Sequence, residues 1–138
     1  MRTMPCINVL SLMAVLVFFE LFSPTVSRVV KPLGAIYCPN SYIEVRQSQE
    51  GTEPSGIPLF AVEISNNCPS GCEISNIHIA CGQFSSDILV NPNTFKRIKI
   101  GDCLVNNGQP LAAGAVVSFK YAQTSQIPLS VLSIVCSK

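Results

Sequence analysis

The chain has 138 residues, with nine basic and eight acidic side chains and a formal net charge of +1. That length fits a single domain, and the near-neutral balance lacks the strongly basic face on which nucleic-acid binding depends. Tryptophan is absent and histidine occurs once, so sugar-stacking platforms and histidine-based catalysis start with little material.

Met1 to Pro5 is short and carries Arg2, and Cys6 to Phe22 is almost wholly apolar. Ser23-Pro24-Thr25-Val26-Ser27 then adds a breaker and small residues. This is the three-part layout of a secretory signal peptide over residues 1–27, with Thr25 and Ser27 set for cleavage before Arg28. The apolar run is short for a bilayer core of about 30 Å, and Glu20 sits near its end, so it reads as a cleaved signal rather than an anchor. From Arg28 on there are eight Lys/Arg, seven Asp/Glu and no Asn-x-Ser/Thr sequon. Ile134-Val135-Cys136-Ser137-Lys138 offers no long apolar tail for a lipid anchor. The expected product is extracellular, with no membrane insertion after signal cleavage.

Residues 28–37 form a basic, Pro- and Gly-containing lead-in, and residues 38–138 the folded domain. Cys6 leaves with the signal. Cys38, Cys68, Cys72, Cys81, Cys103 and Cys136 remain, an even set that reads as three disulfides with 15 possible connectivities. A metal centre is disfavoured: Cys68-x3-Cys72 has no second close pair, and His78 is the only histidine. No cofactor is implied.

Within the domain, period-two alternation is broken by turn clusters. Ile43, Val45 and Gln47 alternate with Glu44 and Arg46, and Phe60, Val62 and Ile64 with Ala61 and Glu63. Ile77, Ile79 and Cys81 alternate with Asn76, His78 and Ala80, and Ile98 and Ile100 with Arg97 and Lys99. Val117, Phe119 and Tyr121 alternate with Ser118 and Lys120, and Leu132, Ile134 and Cys136 with Ser133 and Val135. Ile88 to Val90 is a candidate seventh strand. Pro54-Ser55-Gly56, Asn66 to Gly71, Asn91-Pro92-Asn93 and Asn106-Asn107-Gly108 supply the turns. No stretch has a helical period. The pattern predicts an all-β, disulfide-stapled two-sheet β-sandwich of about six to seven short antiparallel strands. Its core is expected from Phe60, Val62, Ile64, Ile77, Ile79, Val117, Phe119, Leu132 and Ile134.

No catalytic set emerges, and the chain does not read as an enzyme. His78 is expected on the solvated outer face of its strand. The seven mature carboxylates fall in no paired motif of the glycoside-hydrolase kind. A carbohydrate-binding module is the alternative reading, but there is no tryptophan, the mature tyrosines are Tyr37, Tyr42 and Tyr121, and Tyr121 has inward parity. Phe95-Lys96-Arg97-Ile98-Lys99 is either a basic contact strip for an acidic partner or a lysine-guarded edge strand.

Further motifs occur in a fixed order. They are Pro54-Ser55-Gly56-Ile57-Pro58, Cys68-Pro69-Ser70-Gly71-Cys72-Glu73-Ile74-Ser75, Ile77-His78-Ile79, Cys81-Gly82 and Phe84-Ser85-Ser86. Asn91-Pro92, Phe95-Lys96-Arg97-Ile98 and Asp102-Cys103-Leu104-Val105-Asn106-Asn107-Gly108 follow. This run, from Cys38 to Cys136, resembles the plant tapetum determinant family of small secreted cysteine-rich proteins. Gln83 departs from it, standing where an aromatic is often seen. The resemblance implies an apoplastic protein ligand that binds the ectodomain of a leucine-rich-repeat receptor kinase, with a co-receptor kinase. It would signal in cell-fate specification in the anther, the tapetum or a related developmental context. Receptor contact is expected from Lys96, Arg97 and Lys99 with the adjoining Asp102, Asn106 and Asn107.

Overall fold

The computed structural model describes residues 37–137. The signal segment expected over residues 1–27 and the lead-in up to residue 36 lie outside the described residues. Seven strands appear among the described residues: β1 (Ile43–Thr52), β2 (Pro58–Asn66), β3 (Glu73–Ala80), β4 (Phe95–Lys99), β5 (Asp102–Val105), β6 (Val116–Ala122) and β7 (Ser130–Ser137). Two short 3-10 turns, at Asn40–Tyr42 and Asn106–Gly108, complete the set. One sheet has the order β1-β2-β6 and the other β4-β5-β3-β7, with antiparallel pairing throughout. No helix among the described residues is long and apolar enough to cross a membrane.

The alternating pattern explains the first sheet directly. Register pairs Phe60 with Tyr121, Val62 with Phe119 and Ile64 with Val117 on one face of β2 and β6. Val45 and Gln47 of β1 pair with Ile64 and Val62 on the same face. The β1–β2 hairpin closes at Glu53–Ile57, where Gly56 adopts φ +84° and the Glu53 N–H donates to Ile57 O at 2.8 Å. Tyr121 is buried, as its parity predicts. Its hydroxyl donates to Gln47 Oε1 at 2.7 Å and accepts from the Ile127 N–H at 2.9 Å. Gln47 Nε2 donates to Ile127 O at 2.9 Å, so a closed polar ring pins the segment that carries the chain from β6 to β7.

The second sheet departs from simple alternation at two bulges. On β3, Ser75 pairs with Val135 and His78 with Ser133, so β3 advances three residues where β7 advances two. Asn76 takes φ +48° at this point, and Ile74 and Ile77 are consequently both buried. On β7 the excess is reversed: His78 pairs with Ser133 and Ile79 with Val131, which leaves Leu132 as the extra residue. Leu132, expected in the core, is therefore 48% exposed, and Val131 packs against the core in its place. Period-two counting assumes an unbroken ladder, and a single inserted residue inverts everything beyond it.

Phe60, Val62, Ile64, Ile77 and Ile79 are buried as expected, while Val117, Phe119 and Ile134 are partly buried against the same core. Ile88 to Val90 is not a strand; it belongs to the connection between β3 and β4, and the seventh strand is Asp102–Val105. Aromatic rings join the layers. Phe119 of β6 stacks on Phe95 of β4 at 4.3 Å, and Phe84 meets Phe95 edge-on at 5.0 Å and Tyr121 at 5.4 Å.

The disulfides are Cys38–Cys68, Cys72–Cys136 and Cys81–Cys103, with Cα separations of 5.9, 5.8 and 6.0 Å. Cys72–Cys136 and Cys81–Cys103 reinforce neighbouring strands of one sheet rather than joining the two sheets. A polar joint adds to the apolar core between the sheets. Asn66, at the end of β2, is fully buried. Its Nδ2 donates to Cys72 O at 2.8 Å and Leu111 O at 2.9 Å, and its Oδ1 accepts from the Cys68 N–H at 3.0 Å. Leu111 in turn exchanges backbone bonds with Ile74 of β3.

Candidate functional site

The edge strand β4, the start of β5 and the Asn106–Gly108 turn hold all six side chains expected to make contact. Register separates the three cations. Leu104 pairs with both Lys96 and His78, so these three share the outer face of the sheet. Phe95 pairs with Val105 and Arg97 with Cys103, placing both on the opposite parity. Between Arg97 and Lys99 the ladder slips: Lys99 pairs with Asp102, one step along β5 from Cys103. Ile98 is the inserted residue, and Lys99 rejoins the outer face that Asp102 and Leu104 share. The expected strip is thus divided, with Lys96 and Lys99 on the outer face and Arg97 at the inner margin. Ile98 and Ile100, which alternate with cations in the sequence, are 50% and 68% exposed rather than inward; Phe95 is the buried anchor of the strand.

Five of the six side chains already serve the fold. Lys96 Nζ donates to Asn107 Oδ1 at 2.8 Å, and an Arg97 guanidinium N–H donates to Phe84 O at 3.1 Å. Asn106 and Asn107 adopt φ of +52° and +53°, a left-handed conformation that asparagine tolerates better than most residues. Asn106 Nδ2 donates to Gln109 O at 3.3 Å and Pro110 O at 3.4 Å. Asp102 lies 2.7 Å from His78 Nδ1, with side-chain exposures of 19% and 28%. An ionised carboxylate only accepts, so Nδ1 carries the proton. His78, expected to be solvated, is a half-buried partner that ties β3 to the start of β5; the period-two pattern gave its face but not this partner. The Gly101 N–H also donates to Gly82 O at 2.7 Å, so the turn is held at both ends.

The electrostatics of the edge differ from those of the rest of the domain. Arg46 pairs with Glu44 at 2.7 Å and Lys120 with Glu50 at 2.8 Å. The Arg46 guanidinium, with Asn67, holds the Glu44 carboxyl below its usual range. Lys96, Arg97 and Lys99 have no carboxylate partner among the described residues. Beside them lies an open groove of about 450 Å³ between β4 and the segment from Phe84 to Pro92. In sequence, Ile88-Leu89-Val90 resembles a strand, which conceals the groove. Leu89, at 93% exposure, is the visible signal, since a strand packed in a sandwich does not leave a central leucine bare. Elsewhere, Tyr121 is buried, and Tyr37 and Tyr42 are the exposed tyrosines of the described region. Among the described residues no group of three or more His, Cys, Asp or Glu side chains could hold a metal ion.

The family model described as "Tapetum determinant 1, C-terminal" matches residues 39–137. The chain is 48% identical over 99 residues to TPD1 protein homolog 1 of Arabidopsis thaliana, covering 72% of this chain and 55% of that protein. It is 41% identical over 100 residues to TPD1 protein homolog 1A of Oryza sativa subsp. japonica, covering 68% and 44%. To homolog 1B of the same rice it is 40% identical over 99 residues, covering 72% and 58%. The matched region thus spans about half the length of these curated relatives. No solved structure matches the chain. With the six-cysteine β fold and a family match across residues 39–137, the chain belongs to the tapetum determinant 1 family.

Proposed function

We propose that this protein is a small secreted developmental signal. In this reading it acts in the apoplast as a ligand for the ectodomain of a leucine-rich-repeat receptor kinase, with a co-receptor kinase, in cell-fate specification. The family supports the signalling role. The observation that carries the binding surface is the charge of β4: three cations within four positions, none with an acidic partner among the described residues. Surface cations of this kind steer association and set specificity more than they add affinity. Lysines on an edge strand also deter unwanted pairing, and the two roles are compatible. No enzyme chemistry is proposed: among the described residues no serine or threonine hydroxyl is hydrogen-bonded to His78, whose Nδ1 meets Asp102, and the six cysteines are in disulfides.

The test is direct binding of the oxidised protein, produced through a secretory pathway, to a panel of leucine-rich-repeat ectodomains and a panel of wall polysaccharides. Saturable binding to an ectodomain, weakening as salt rises, is expected. Binding to polysaccharide alone would favour the carbohydrate-module reading and overturn this one.

A further inference from the structure

We propose that the groove beside β4 receives a single aliphatic side chain from an acidic segment of the partner protein, with Leu89 packing against that segment at the rim. This rests on the receptor reading above and extends it from charge to shape. The groove is lined by Ile88, Val90, Pro92 and Phe95, and by Lys96 and Arg97 on its β4 side. A mixed lining, with apolar side chains beside two cations, suits a segment that alternates apolar and acidic residues. Asp87 is the one carboxylate of the lining, so cationic charge dominates there.

The groove is built in advance of binding. The Asp87 N–H donates to Ala122 O at 2.9 Å, and Ser86 Oγ accepts from the Ala122 N–H at 3.1 Å. Asn91 O accepts from the Thr94 and Phe95 N–H groups at 2.9 and 3.0 Å. Phe84 is buried between Phe95 and Tyr121, and its carbonyl fixes Arg97. A surface ordered before contact loses less entropy on association. Leu89 makes no use of this order for the fold: it is almost wholly solvent-exposed on a segment its neighbours hold in place. An exposed apolar side chain next to cations that have no carboxylate partner among the described residues matches the usual anatomy of an interface, an apolar anchor within a polar rim.

The probe is a pair of five-residue capped peptides, one with leucine between two pairs of glutamates and one with serine in the leucine position. Each is titrated against the isotope-labelled, oxidised protein with amide shifts followed by NMR. The leucine peptide is expected to bind at least fivefold more tightly than the serine peptide, with its largest shifts at Val90, Phe95 and Arg97. Leu89→Ser, which removes no buried group, should weaken the leucine peptide severalfold. Lys96→Gln with Arg97→Gln should weaken both. Equal affinity of the two peptides, shifts centred elsewhere, or no binding by either would overturn the proposal. Failure of the ectodomain screen while the leucine peptide still binds would overturn the receptor reading and not the groove; the reverse would overturn the groove alone.

Discussion

Replacing Asn66 by Asp changes one amide to a carboxylate at nearly constant volume, at the point where the two sheets meet. Asn66 is fully buried, and its Nδ2 supplies hydrogen bonds of 2.8 and 2.9 Å to two backbone carbonyls. Asp keeps the acceptor for the Cys68 N–H but offers no amide donor. Leu111 O keeps the Ile74 N–H, so the main loss is the donor to Cys72 O, about 1–3 kcal/mol before any charge is considered. An ionised carboxylate facing two carbonyls adds to this, and folding therefore favours its protonated form. The folded variant then holds that proton more tightly than the unfolded chain, whose aspartate titrates near 4. Relative to wild type, Asn66→Asp should consequently regain stability as pH falls from 7 towards 4.5, where its O–H restores one of the two bonds. Urea unfolding with the disulfides intact, at both pH values, measures the difference. Asn66→Ala is the control and should cost about 3 kcal/mol with no such pH dependence. If Asn66→Asp were within about 1 kcal/mol of wild type at pH 7, or equally destabilised at both pH values, Asn66 would not be the polar joint described.

Burial pushes the Tyr121 phenol above its usual range, opposed in part by the Ile127 N–H. The folded state thus holds this proton more tightly, and stability is full below about pH 10 and falls as pH rises beyond it. Tyr121→Phe should remove that part of the alkaline decline and cost about 1–2 kcal/mol at neutral pH by thermal unfolding. Phe119→Ala should cost about 2–3 kcal/mol, below the fully buried range because Phe119 is only partly covered, with its stack on Phe95 as the main loss. Partial reduction with stepwise alkylation should return Cys38–Cys68, Cys72–Cys136 and Cys81–Cys103 and no other pairs. Removing the Cys81–Cys103 bridge by paired alanines should cost about 3 kcal/mol for its short loop.

The first sheet was legible because its inner face alternates without interruption from Phe60 to Ile64 and from Val117 to Tyr121. The second was legible only in part. Asn76, Ile98 and Leu132 each insert a residue into the ladder, and no local pattern marks an insertion whose cause is the register of a neighbour. Leu132 was misplaced for that reason, and the cationic strip looked continuous where Ile98 divides it. Asn66 sits in a turn-rich run, Asn66-Asn67-Cys68, and asparagine's turn propensity hid its role as a buried donor. His78 and Asp102 are 24 residues apart, and only the pairing of β3 with β5 brings them together. Cysteine count gave the number of bridges, but their pairing depends on the sheet order. The six proposed contact residues do gather around one edge, because β4, β5 and the following turn are consecutive in the chain.

We propose that the β4 cations face a partner protein. It is tested most directly by the affinity of the triple variant Lys96→Gln, Arg97→Gln, Lys99→Gln for an ectodomain that binds the wild-type protein, measured at two salt concentrations with the fold verified by amide spectra. A loss of at least tenfold, about 1.4 kcal/mol, together with a shallower salt dependence than wild type, is the predicted result. A folded triple variant that binds as tightly as wild type, with unchanged salt dependence, would reduce β4 to a guarded sheet edge and contradict the account.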